Sequence, residues 1–145
     1  MLVKIRKLDE RARLPQYGSE AAAGADLYAL PEAPVTIAPG ETAFLPTGIA
    51  AEIPEGYVGL IFARSSLGIK RGLAPANKVG VIDSDYRGEI RVGLHNHGKE
   101  AQTIEPFERV AQLVIVPFLH AEFTESETLS DTARGAGGFG STGRK

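Results

Sequence analysis

Two acids two residues apart, followed at once by a large aromatic, stand in the stretch NKVGVIDSDYRGEI, residues 77–90. Turn formers explain much of it, because Asp83, Ser84, Asp85 and Gly88 are residues that reverse a chain. A turn has no use for Tyr86, and it does not need an acid directly after the apolar run VGVI. A carboxylate leaving a buried strand there can accept a proton from a water or hold that water in line. A carboxylate is a side chain suited to either task.

Four other stretches carry residues that packing alone does not ask for. Asp26 is the single acid in AAAGADLYAL, residues 21–30, and a partly buried carboxylate is costly unless it is hydrogen-bonded, paired or near a metal. In IFARSSLGIKRG, residues 61–72, Arg64 and the hydroxyls of Ser65 and Ser66 follow an apolar strand. They read either as a small anion site or as a serine cap beside a surface arginine. In RVAQLVIVP, residues 109–117, Gln112 shares a strand face with Val110, Val114 and Val116. A buried amide left unpaired costs about 1 to 3 kcal/mol, so Gln112 is expected to have a partner, either backbone or a water or ligand group. The chain ends in DTARGAGGFGSTGRK, residues 131–145. GAGGFG matches the spacing of a dinucleotide-binding loop but lacks the strand before it and the helix after it. Its glycines still allow successive amides to point at one anion, Ser141 and Thr142 add hydroxyl donors, and Phe139 is a planar ring available for stacking.

His95 and His97 in HNHGKE also invite a metal reading, since they project from one face of a strand. That reading needs a third histidine, and His120 is the only one remaining. A polar tip at Asn96 to Gly98 accounts for the segment better.

The elements that would position these residues are strands. Nine prolines and seventeen glycines divide the chain into segments too short for most helices. Strands are expected at 2–7, 25–28, 35–37, 41–53, 57–62, 79–82, 89–96, 102–104 and 109–117. The segment EIRVGLHN alternates, with Ile90, Val92 and Leu94 on its buried face. VGVIDSDYRGEIRV is expected to be a hairpin, and Ser65 to Ile69 a short helix. The chain is all-β, of sandwich or barrel type. Its 145 residues suffice for one core without disulfides, and there are no cysteines to form any. A net charge of -2 gives no general attraction for nucleic acid, so an anionic ligand must be met locally, where Arg64, Lys70 and Arg71 cluster. With no signal-like start and no apolar run of membrane-spanning length, a soluble cytoplasmic protein is expected.

Taken in order, AGADLYA from residue 23, ARSSLG, GVIDSDYRGE, RVAQLV and RGAGGFGSTG resemble the dUTP pyrophosphatase family of the homotrimeric type. The resemblance spans most of the chain. It implies a distorted jelly-roll β-barrel over residues 1–130 and a C-terminal arm, residues 131–145, that closes over the active site of a neighbouring subunit in a trimer. It also implies Mg²⁺-dependent hydrolysis of dUTP to dUMP and pyrophosphate. Asp83 would orient the attacking water, and Tyr86 would lie under the deoxyribose and exclude a 2'-hydroxyl. Asn77, with the backbone of Gly80, Val81 and Ile82, would read uracil. Arg64, Ser65, Ser66 and Gln112 would contact phosphates or the water network, and Asp26 would act through waters of the Mg²⁺ shell. Phe139 would stack on uracil while Arg134, Gly140, Ser141, Thr142 and Gly143 embrace the outer phosphates. Ala63 stands where many members of that family carry proline. The alternatives are a dCTP deaminase-like enzyme of the same fold and a jelly-roll protein that binds the nucleotide without cleaving it.

Overall fold

A computed structural model describes residues 1–138. The strands are β1 (Lys4–Lys7), β2 (Gln16–Tyr17), β3 (Ala25–Tyr28), β4 (Val35–Ile37), β5 (Thr42–Pro46), β6 (Ile49–Glu52), β7 (Tyr57–Phe62), β8 (Leu73–Pro75), β9 (Gly80–Ile82), β10 (Arg91–Asn96), β11 (Gln102–Ile104) and β12 (Arg109–Pro117). They pair as a five-stranded sheet β2-β3-β12-β7-β9, a three-stranded sheet β5-β10-β8, and the ladders β1-β6 and β11-β4. The fold is all-β, and the sheets surround one core without closing into a continuous barrel ladder. Leu27, Leu45, Leu73, Leu94, Ile104 and Val110 are fully buried in it. Each such side chain contributes about 1.5 to 3 kcal/mol by leaving water.

The longest strand, β12, is the axis of the larger sheet. Its apolar, β-branched run RVAQLVIVP is what a strand flanked on both edges requires. It pairs with β3 and β7, setting Gln112 opposite Asp26 on one side and Phe62 on the other. Chemistry-bearing residues from three distant segments are thereby held side by side.

Three sequence expectations need correction. The strand expected over 41–53 is two strands, broken at Gly48. Gly48 has φ +69, and a Cβ there would lie 2.8 Å from Leu30 Cδ2, so the chain turns where only glycine fits. The hairpin expected at 79–92 does not form. β9 pairs with β7, whereas β10 pairs with β5 and β8. The returning chain is drawn away from β9 because Ile90 N donates to Ile49 O at 2.8 Å and Glu89 Oε1 accepts from Gly48 N at 2.8 Å. Ile90, Val92 and Leu94 are nonetheless buried together, as the alternation requires. The helix expected at Ser65 to Ile69 lies one residue later, over Ser66–Lys70, and is wound more widely than an α-helix. Ser65 precedes it without a capping bond from its hydroxyl. Among the described residues no helix is long and apolar enough to cross a membrane.

Candidate functional site

Asp26 is 4% exposed and is neutralised by two arginines. Arg64 Nε donates to its Oδ1 at 2.8 Å, and Arg109 Nη1 donates to its Oδ2 at 3.2 Å. Arg64 also reaches Arg109 O, at 3.4 Å, so the guanidinium is fixed at both ends with Ala63 before it. Arg109 is the member of this cluster that sequence reasoning missed. It lies 83 residues from Asp26, and the one available signal was its position at the start of β12.

Gln112 neighbours this cluster. A Cβ on Gly24 would lie 3.2 Å from Gln112 Cβ, so Gly24 leaves the space the amide side chain occupies. Gln112 is half-buried, and none of the hydrogen bonds among the described residues uses its side-chain amide. Ser65 and Ser66 are exposed beside Arg64.

The second group lies along β9 and the loop after it. One cavity, of about 150 Å³, is lined by Asn77, Gly80, Ile61, Pro75 and Val92 among others. Gly80 gives it depth, since a Cβ there would lie 3.1 Å from Ile61 Cβ and 3.6 Å from the Asn77 amide nitrogen. An adjacent opening of about 320 Å³ is lined by Val81, Ile82, Asp83, Tyr86 and Glu89. Phe44 and Arg91 line both, forming the wall the two share. Neither was singled out from sequence. The signal was the alternation in β5, where buried Leu45 sends its neighbour Phe44 outward, 69% exposed.

Tyr86 is held in a defined pose. Its hydroxyl donates to Glu89 O at 3.0 Å, and its ring lies over Gly88, where a Cβ would sit 2.4 Å from the phenolic oxygen. Asp83 is exposed at the head of the same loop, and its carbonyl accepts from Tyr86 N at 3.2 Å.

The structure thus brings Asp26, Arg64 and Gln112 together and, separately, Asn77, Gly80, Val81, Ile82, Asp83 and Tyr86. Neither cavity is lined by a member of the first group. Arg134 is exposed in a turn where Gly137 N donates to its carbonyl at 3.0 Å. The expected arm residues Phe139, Gly140, Ser141, Thr142 and Gly143 lie outside the described residues. The basic cluster expected at Arg64, Lys70 and Arg71 is partly internally neutralised, because Arg71 pairs with Glu108 as Arg64 does with Asp26. His95 and His97 stack edge to face at 4.4 Å and turn to Thr42 and Lys78, consistent with a polar tip.

This arrangement of segments has known counterparts. A family model described as dUTPase matches residues 10–143. The chain belongs to the dUTPase family. It is 49% identical over 146 residues to a deoxyuridine 5'-triphosphate nucleotidohydrolase of Thiobacillus denitrificans, covering 100% of both chains. It is 48% identical over 147 residues to one of Burkholderia mallei, covering 99% of each. Among solved structures, the dUTPase of Staphylococcus bacteriophage 80alpha with dUPNHPP superposes with a TM-score of 0.89 at 30% identity, covering 98% of each chain. A mutant dUTPase from phage phi11 of S. aureus, described as coordinating a structural Mg(II) ion, superposes at 0.79 with 28% identity, covering 88% of this chain and 98% of that one.

Proposed function

We propose that this chain hydrolyses dUTP to dUMP and pyrophosphate as a homotrimer, with each active site shared between subunits. The observation that carries the reading is the pose of Tyr86, its phenolic end seated against Gly88 and its side chain lining the same opening as the exposed Asp83. A ring held there sits under a deoxyribose and closes the space that a 2'-hydroxyl would need. The recess at Asn77 and Gly80 takes the uracil edge, with backbone groups of Gly80, Val81 and Ile82 as further partners. Asp83 accepts a proton from a water and aims it in line at the α-phosphorus.

Arg64, Ser65, Ser66 and Gln112 meet phosphates or ordered water. Since this group lines neither nucleoside cavity of its own chain, a neighbouring subunit is the natural source of the nucleoside. The arm, residues 131–145, closes over that shared site, with Phe139 on uracil and Arg134, Gly140, Ser141, Thr142 and Gly143 on the outer phosphates.

The donor set suits Mg²⁺. This ion is commonly held by one or two carboxylates together with substrate phosphates and retained waters. Among the described residues no three His, Cys, Asp or Glu converge, which fits an ion carried mainly by the triphosphate. Asp26 has two oxygens with lone pairs left after its arginine bonds, and these can accept from waters of the ion. An Mg²⁺ ion held there would supply positive charge against the charge developing on the phosphates.

The test is pyrophosphate release from dUTP by the wild type and by Asp83→Asn. The expected result is release by the wild type and, in the variant, nucleotide binding retained with turnover lower by about 10²- to 10⁴-fold. Near-native turnover in the variant would remove Asp83 from the mechanism, and absence of release by the wild type would reject the activity.

A further inference from the structure

The residues assigned to phosphates, Arg64, Ser65 and Ser66, lie on a strap between β7 and β8, and the strap has little internal stability. Its helical part is five residues long, far below the length at which an isolated helix holds itself. Its geometry must come from what grips it. Three grips are visible. Arg64 is bound to Asp26 and Arg109 O at the leading end, Leu67 is buried at 3% exposure in the middle, and Arg71 anchors the trailing end.

The Arg71 grip is the most extensive of the three. Nε donates to Gln102 Oε1 at 2.9 Å, Nη2 donates to Thr103 O at 2.6 Å, and Nη1 donates to the Glu108 carboxylate. All three guanidinium nitrogens are engaged, a geometry that a lysine ammonium cannot reproduce. Glu108 is itself fixed. Its Oε2 accepts from Glu105 N at 3.1 Å and its carbonyl accepts from Ala29 N at 2.8 Å. Arg71 thereby ties the trailing end of the strap to the turn that begins β12 and to the end of β3. Those are the two strands that carry Arg109 and Asp26, so both ends of the strap refer to one rigid frame. Directly after Arg71 the chain leaves through Gly72 at φ +65, where a Cβ would lie 2.8 Å from Gly98 N, so there is no slack beyond the anchor.

We infer that Arg71 is a positioning residue for triphosphate recognition: it touches no substrate itself, and by fixing the trailing end of the strap it sets where Arg64, Ser65 and Ser66 meet the phosphates. This rests on the phosphate-side reading given under Proposed function.

The experiment compares binding of dUpNHpp and of dUMP, each with Mg²⁺, to the wild type, Arg71→Lys and Gln102→Ala. Arg71→Lys keeps the charge and loses the fork, and Gln102→Ala removes one acceptor at a distance from the strap. A role confined to stability would weaken both ligands alike. The inference expects dUpNHpp affinity to fall about tenfold in Arg71→Lys, the scale of one charge-assisted contact, with dUMP affinity held within about twofold. Gln102→Ala should shift the ratio in the same direction by about two- to threefold. If Arg71→Lys does not fold, the ratio in Gln102→Ala decides. A wild type that binds the two ligands equally would refute the triphosphate reading and this inference with it. A wild type that discriminates, with its ratio retained in the folded variants, would overturn this inference alone.

Discussion

Replacing Asp26 with Asn separates a structural carboxylate from a metal-linked one. The two are almost isosteric, so the change removes charge with little change of volume. The Asp26 side chain is 6% exposed, and the side chains it holds are 21% exposed at Arg64 and 51% exposed at Arg109. The bond to the shielded Arg64 is of the charged kind, worth about 1.5 to 3 kcal/mol. The bond to the half-exposed Arg109 is screened by solvent and worth about 0.2 to 1 kcal/mol. Asn keeps one acceptor oxygen and turns an NH₂ toward the other guanidinium, so donor faces donor. The expected loss is about 2 to 3 kcal/mol, which at a urea slope of about 1 to 3 kcal/mol/M lowers the unfolding midpoint by about 0.7 to 3 M. Protein concentration must be equal in both samples, since an oligomer's stability depends on it. The same samples are then titrated with Mg²⁺ during dUTP hydrolysis. If Asp26 serves Arg64 alone, turnover falls and the half-activating Mg²⁺ concentration stays put; if it also holds waters of the ion, that concentration rises. A stability change below about 0.3 kcal/mol would refute the paired, buried carboxylate on which the estimate stands.

Gly88→Ala should drive the Tyr86 ring off its seat, because the new methyl would sit 2.4 Å from the phenolic oxygen. The measured ratio of dUTP to UTP turnover should drop, with stability falling by only about 1 kcal/mol for the one hydrogen bond lost. His97 meets the ring of His95 and faces Lys78, and desolvation first, then the charges of Lys78 and His95, hold its pKa below the ordinary imidazole value. The unfolded chain therefore takes up the proton first as pH falls, so stability should decline through the window from about pH 6.5 down to the lowered folded pKa and level off below it. Denaturant midpoints of the wild type and His97→Gln against pH test this, and an equal slope in both would exclude His97. Ending the chain before Arg134 should leave the unfolding midpoint unchanged, because no described residue after Leu113 is buried, while turnover of dUTP is largely lost. Retained turnover would free the arm of its assigned role.

Where strands are apolar runs between turn formers, the sequence and the structure agree to the residue, as at Tyr57–Phe62, Gln102–Ile104 and Arg109–Pro117. Gln16–Tyr17 and Leu73–Pro75 were not legible: the first is only two exposed residues and the second ends on a proline, so both take their strand form from the neighbours they pair with. The false hairpin has the same origin: the turn chemistry after Ile82 was read correctly, but partners of the returning strand were decided by Gly48 and Ile49, far away in sequence. For the site, the expense of burying Asp26 was legible and so was its need for a partner. Arg109 was not, since the fold alone brings it there.

The pairing of β12 with β3 also sets a timetable for the newborn chain. At synthesis rates of about 5 to 20 residues per second, the 83 residues between Asp26 and Arg109 take about 4 to 17 s to add. β3 waits through that whole interval, and β7 through the part after Phe62, for the strand that joins them, so two backbone edges stand unpaired and open to wrong partners. The ribosome therefore carries a nascent chain whose Asp26–Arg64–Arg109 cluster cannot be assembled early, so a chain cut short before β12 lacks it altogether.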